Sequence, residues 1–284
     1  MNSTVVRSVS GVVFLAIMVG SMLLSPIAFA IVMSIAIALM MTEYLMLSID
    51  KGYDTTRALS IISGVMLYIF IFLYKGYGMN PKWFYLLTIP VSLIFVSLLY
   101  YKDLRIGHTD ENEQYNKHPY LLAALIYIAQ PFALTSFILF DSDQNYKPFL
   151  LLSLFIIAWS SDVGAYIFGM LFGQKDGHKL FPSISPKKSW EGFFGGLFCG
   201  ILAGSIIWLC SLTELTFIHS LALSLIVSLS GVAGDLVESQ FKRNFGVKDS
   251  GKLIPGHGGL LDRFDGILIS FPLAIAYIKI FSII

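Results

Sequence analysis

Pro148–Gly173 reads PFLLLSLFIIAWSSDVGAYIFGMLFG and holds one charged residue, Asp162. A run of this length and polarity is what a helix rising 1.5 Å per residue needs to cross ~30 Å of hydrocarbon. The rest of the chain has the same character. Over 284 residues it is 56% hydrophobic and 13% charged, about half the charged fraction of an ordinary soluble domain. So few charges cannot cover a water-facing surface, and the chain reads as an all-α polytopic membrane protein. A net charge of +1 gives no reason to expect nucleic acid as a partner. Cys199 and Cys210 share one apolar run and stand roughly 16 Å apart along a helix, too far to bridge. No zinc-binding spacing is present.

Working outward, runs long enough to span occur at about 8–25, 26–49, 58–74, 84–101, 120–140, 148–173, 190–212, 216–241 and 266–283, an expectation of nine spans. Ser25-Pro26 breaks the first two into a hairpin, a reading preferred to a cleaved signal peptide because the apolar character continues through Ala30 without a polar region. With the N-terminus in the cytoplasm, 15 of the 19 lysines and arginines fall in cytoplasmic segments, leaving Lys75, Lys82, Lys147 and Lys279 outside. The positive-inside rule favours that orientation. It predicts an inner-membrane protein with its polar motifs facing the cytoplasm. The connector Lys102–Pro119 reads as a solvated loop. It divides the expected N-terminal bundle, 1–119, from a catalytic half, 120–284.

Four features of that second half resist a purely structural account. An ionised Asp162 near mid-bilayer costs about 2.5–3.5 kcal/mol, so it must meet the bundle interior, a wet cavity or a cation. Ser160 and Ser161 are its nearest sequence partners. In SPKKSWEG, residues 185–192, Lys187, Lys188 and Ser189 stand at the cytoplasmic start of an apolar run, with Glu191 just inside it. Ammonium groups, a hydroxyl and free helix-start N–H groups suit phosphate. Asp235, Glu238, Ser239 and Lys242 fall at i, i+3, i+4 and i+7, on one helical face. Arg243 follows them. Last, Gly256-His257-Gly258-Gly259 permits a tight backbone path near an anion. Asp262, Arg263 and Asp265 come after it, as the final apolar run begins.

With Asp235, the two later aspartates make three carboxylates that would repel one another without a cation. Hard oxygen ligands near phosphates suit Mg²⁺. His257 fits a loop hydrogen bond as well as a direct role, and Arg263 fits an ion pair as well as phosphate. Carboxylates for a cation and basic groups for phosphate, at a membrane surface, suit phosphoryl or nucleotidyl transfer to a lipid. There is no Walker loop, Rossmann fingerprint, GxSxG elbow or HExxH.

The pattern Ser239-x-Phe-Lys242-Arg243-x4-Lys248-Asp249-x-Gly-x2-Ile-Pro255-x-His257-Gly258-Gly259-Leu-x-Asp262-Arg263-Phe-Asp265 resembles the phosphatidate cytidylyltransferase (CDP-diglyceride synthetase) signature. Upstream, Asp162-x-Gly-Ala165-Tyr166 is similar to the family's Asp-Thr-Gly-Ala-Tyr with Val163 for Thr, and residues 185–192 to its SPKKT-x-EG with Ser189 for Thr. The resemblance implies transfer of CMP from CTP to phosphatidate, giving CDP-diacylglycerol and pyrophosphate, by a nine-span homodimer in the bilayer. It implies Mg²⁺ and a monovalent K⁺ held at Asp235 and Asp262, with Asp265, Ser239 and Lys242 around them.

Two other classes use part of the same inventory. A CTP-dependent lipid kinase of the polyprenol or phytol type would transfer the γ-phosphate to a hydroxyl and would want a base there. A cation-coupled transporter would use Asp162 and Asp235 as pathway residues and would need polar positions on both sides of the membrane, where the external loops are short.

Overall fold

The computed structural model describes residues 3–49, 52–100, 118–173, 177–256 and 258–283. Among these, six helices are long and apolar enough to cross a membrane: Pro26–Ser48, Asp54–Tyr77, Pro119–Leu139, Phe149–Phe172, Trp190–Leu209 and Phe217–Asn244. Two shorter apolar helical stretches are Ser8–Leu24 and Pro81–Ser97. The chain is an all-α polytopic membrane protein, as its composition requires. The connector Lys102–Pro119 lies largely outside the described residues.

The chain forms two compact units, Met1–Ser136 with Asp249–Asp262, and Phe137–Lys248 with Arg263–Ile284. The first contains α1 (Ser3–Leu24), α2 (Pro26–Ser48), α3 (Asp54–Tyr77), a 3-10 stretch Pro81–Leu87 leading into α4 (Thr88–Tyr100), α5 (His118–Ala124) and the start of α6 (Gln130–Leu139). Local chemistry sets these ends. Ser25 Oγ accepts the Ala28 N–H at 3.0 Å and Pro26 occupies the first turn of α2, where its missing N–H costs nothing. Gly78 ends α3 at φ 63°, a left-handed conformation that favours glycine. A π turn, Leu125–Ala129, joins α5 to α6. Pro131 just beyond it cannot donate to the carbonyl four residues back, which favours such a bulge. Met33, Ile37, Met40, Met41, Leu45 and Tyr68 are fully buried in this unit. A side chain at Gly64 would strike Met41 and Ala129, so α3 packs against its neighbours through bare backbone.

The second unit contains the end of α6, then α7 (Phe149–Phe172), strands β1 (Lys179–Phe181) and β2 (Ser185–Ser189), α8 (Trp190–Leu209), α9 (Phe217–Asn244) and the body of α10 (Leu261–Ile280). The strands pair antiparallel, Lys179 opposite Ser189. This small hairpin is an addition to the helical reading of the sequence. Its residues are too few and too polar to show a period. Phe155 of α7 meets Phe271 of α10 edge to face at 4.8 Å.

Glycines seat α8 on both of its neighbours. A Cβ at Gly196 would lie 2.8 Å from the Ser161 carbonyl oxygen of α7, and one at Gly192 2.9 Å from that of Ala165. On the α9 side, Cβ atoms at Gly200 and Gly204 would strike the hydroxyls of Ser228 and Ser224. Small residues that let backbones approach are how helices associate where lipid is as apolar as leucine. Cys199 and Cys210 are free thiols.

Between α6 and α7 the chain turns back through Phe140–Tyr146. Asp141 Oδ1 accepts the N–H groups of Asp143 and Asn145, each at 2.9 Å. The Asn145 N–H, with smaller contributions from its side chain and from Lys147, holds the Asp141 carboxyl below its ordinary value.

Two outcomes follow for stability. Gly196→Val should push α7 from α8 against a carbonyl that cannot yield, costing roughly 1–3 kcal/mol, read as a lower unfolding midpoint in detergent. A depressed folded pKa stabilises above the unfolded value of about 3.9 and is lost as pH falls through the folded value. Unfolding followed down from pH 5 should therefore show a steeper acid loss for the native chain than for Asp141→Ala.

Candidate functional site

In the second unit the polar residues singled out in the sequence fall on four elements. On α9, Asp235 Oδ1 accepts from the Ser239 hydroxyl at 3.1 Å, and Lys242 Nζ reaches Glu238 Oε2 at 2.6 Å. Both are i, i+4 pairs on the expected polar face. Glu238 is completely buried and Lys242 nearly so, so this pair sits in low dielectric. Asp235 turns its other oxygen to Lys188 Nζ at 2.7 Å, which joins α9 to the residues before α8.

The hairpin holds that lysine in place. The buried Ser189 Oγ caps α8 by accepting the Gly192 N–H at 3.2 Å. Glu191 Oε1 accepts the His178 N–H at 3.0 Å, and the His178 carbonyl accepts from the Trp190 N–H at 2.9 Å. Lys179 Nζ donates to the Gly173 carbonyl at 2.9 Å. Ser189 and Glu191, candidates for phosphate contact, therefore also have local structural work. Lys187 is exposed on β2. Arg243 and Lys248 are exposed as well. The former donates to the Val247 carbonyl at 3.2 Å as α9 ends.

Helices α7, α9 and α10 line a narrow cavity of about 10 Å³, room for about one water. Ser161, Asp162, Ser228, Gly231, Arg263 and Asp265 are among its lining residues. Asp162 thus meets a polar cavity, one of the three environments its sequence position demanded. Among the described residues Ser228 Oγ is buried without a protein hydrogen-bond partner, and a buried hydroxyl normally finds one in water or a ligand. Asp265 Oδ1 accepts the Gly266 N–H at 2.7 Å. The charges of Asp235, Glu238 and Asp162 all act on Asp265, while those of Lys188 and Arg263 act on Asp162. The cavity lining itself brings together two carboxylates, Asp162 and Asp265, and one cation, Arg263.

In the first unit, Asp249, Gly258 and Gly259 fall within one loop, and Asp262 stands just beyond it in the first turn of α10. His257 lies outside the described residues. Gly256 and Gly258 have φ of 77° and 88°, and the Ile254 N–H bonds the Gly258 carbonyl at 2.9 Å. This is the tight path expected of the glycines. The Gly259 N–H donates to Asp262 Oδ2 at 2.7 Å, and so do the Ser250 N–H and hydroxyl at 2.9 and 3.0 Å. A Cβ at Gly258 would come within 2.7 Å of the same oxygen. Here the glycine-rich backbone approaches an anion that belongs to the protein itself. Sequence reasoning missed Ser250, Ser228 and Glu43, the carboxylate of α2 that receives the Leu260 and Leu261 N–H groups at 2.9 and 2.8 Å. Glu43 stands alone among apolar residues, and an ionisable residue so placed is itself a signal.

The chain matches the model of a family described as the cytidylyltransferase family over residues 5–281. It belongs to that family. It is 42% identical over 158 residues to a phosphatidate cytidylyltransferase of Staphylococcus epidermidis, and 42% over 159 residues to one of Staphylococcus aureus. A protein of the same name from Staphylococcus haemolyticus is 41% identical over 158 residues. Each alignment covers 56% of this chain and 60% of the relative.

The buried pair on α9 makes a direct test. Lys242→Met removes the cation 2.6 Å from a buried Glu238, and losing one partner of such a pair costs about 3–5 kcal/mol. Adding Glu238→Gln to that variant should restore much of the loss, a non-additivity visible in unfolding midpoints.

Proposed function

We propose that this protein transfers CMP from CTP to phosphatidate, forming CDP-diacylglycerol and pyrophosphate; its Staphylococcus relatives carry the name phosphatidate cytidylyltransferase. The observation that carries the reading is the Lys188–Asp235 contact beside the cavity of Asp162, Arg263 and Asp265. It joins a phosphate-type cation to clustered carboxylates at the end of a membrane helix.

Among the described residues no group of three or more His, Cys, Asp or Glu side chains is arranged to hold a metal by itself. Mg²⁺ takes one or two carboxylates and fills its octahedron with water and substrate phosphate. Asp235 and Asp265 are the proposed holders in the second unit, and Asp262 is a further candidate by its motif. Bound there, Mg²⁺ would neutralise charge on the nucleotide phosphates. The family resemblance adds K⁺ as a second cation.

In the reaction proposed, a lipid phosphate oxygen attacks the α-phosphorus of CTP in line. The new P–O bond forms as the bond to pyrophosphate breaks, and the leaving group carries away the electron pair. Lys187, Lys188 and Arg263 bind and balance the anionic oxygens. To do this Lys188 exchanges part of its contact with Asp235 for substrate, and Ser239 keeps Asp235 oriented. The attacking phosphate is already anionic, so no side chain has to remove a proton. Lysine and arginine placement supports an inner-membrane protein with this chemistry on the cytoplasmic side. Homodimerisation belongs to the same proposal.

Purified protein given phosphatidate and CTP labelled separately at the α and γ phosphates decides the reaction. Label from α in the lipid is the expected result. Label from γ would instead make it a lipid kinase, and no lipid label under either condition would end both enzymatic readings. Lys188→Met should lower kcat/KM at least 100-fold, about 2.7 kcal/mol of transition-state stabilisation. Asp235→Asn should raise the Mg²⁺ concentration for half-maximal rate. Asp262→Asn is a poorer test of metal binding, because Asp262 Oδ2 also accepts three protein hydrogen bonds.

A further inference from the structure

Glu43 is the one charged residue of α2, and its partners come from more than 200 positions away. Leu260 donates its N–H to Oε1 at 2.9 Å, Leu261 donates its N–H to Oε2 at 2.8 Å, and the Ser250 hydroxyl lies 3.1 Å from Oε2. The two amides belong to the start of α10, where the first N–H groups of a helix have no internal partner. A carboxylate there is favoured by the helix dipole as well. The local sequence, Gly258-Gly259-Leu260, has no side chain to cap the helix, so Glu43 caps it from another helix.

The loop is built to admit this carboxylate. A Cβ at Gly251 would lie 2.6 Å from Glu43 Oε1, and one at Gly259 2.5 Å from Oε2. Ser250 connects Glu43 to Asp262, since its hydroxyl is 3.1 Å from the first and 3.0 Å from the second. One hydroxyl proton serves two carboxylates, which ties the position of each to the other. From α1, Ser10 Oγ donates to the Pro255 carbonyl at 3.0 Å, so a second N-terminal helix grips the same loop.

We propose that Glu43 is a positioning residue: it clamps residues 250–261 and through Ser250 fixes the orientation of the Asp262 carboxylate. This gives the N-terminal helices a task in the reaction. The catalytic consequence rests on the proposed role of Asp262. The clamp itself does not.

The full chain in nanodiscs tests it with Glu43→Gln, Glu43→Asp and Ser250→Ala. Glutamine keeps the size but presents an NH₂ to one of the amide donors, and aspartate is one methylene short of both. Amide hydrogen exchange of the 250–262 segment should quicken at least 10-fold in both Glu43 variants while α2 and α9 keep their protection. With phosphatidate and labelled CTP, kcat should fall at least 10-fold and the Mg²⁺ concentration for half-maximal rate should rise several-fold. KM for phosphatidate should stay unchanged. Ser250→Ala keeps the amide bonds to Glu43, so Leu260 and Leu261 should stay protected while the Mg²⁺ requirement rises.

Unchanged exchange in the Glu43 variants would overturn the clamp. Faster exchange with unaltered kcat and Mg²⁺ dependence would reduce Glu43 to a helix cap and overturn the positioning role. Should the native protein transfer no labelled CMP, the proposed reaction fails, and with it any catalytic role for Glu43; the exchange measurement still decides the clamp.

Discussion

An ionised group among apolar helices survives only where donors or opposite charges are brought to it, and the placement of this chain's polar residues follows that demand. Glu238 has Lys242, Asp235 has Ser239 and Lys188, and Asp262 has the Gly259 amide with Ser250. Each arrangement needs a particular backbone route. The hairpin before α8 carries Lys188 to Asp235, and the glycine turn carries amides to Asp262. Remove the carboxylates and neither the hairpin nor the turn has a reason for its shape.

The same demand separates structural from chemical roles. Lys242 is committed to a buried partner, Glu238. Lys188 is different. Its ion pair is partly accessible, 22% for its own side chain and 39% for that of Asp235, and an accessible pair holds weakly. A weakly held lysine beside a carboxylate is able to exchange partners when a phosphate arrives.

Much of this was legible in residue order. Apolar runs located the helices because a span has a minimum length, and the i, i+4 spacing on α9 placed Asp235 with Ser239 and Glu238 with Lys242 because a helix fixes those neighbours. Asp162 announced a bundle interior, a wet cavity or a cation by its cost in lipid. The hairpin was not legible, since three and five residues of mixed polarity carry no period. Neither was the service of Glu43 to a loop more than 200 residues later. Spacing rules reach across a turn of helix, whereas that contact exists only after the chain has folded. The glycines illustrate the limit well: their freedom was read correctly, but whether the anion they approach is a ligand or the protein's own aspartate depends on long-range packing.

Helix α9 has 28 residues, about 42 Å of rise against ~30 Å of hydrocarbon. Measured from Phe217, Asp235 stands at about 27 Å and Lys242 at about 38 Å on a helix close to the bilayer normal. The helix is therefore long enough to cross the lipid tails and carry its polar face beyond them, to the level where a phospholipid's own phosphate lies.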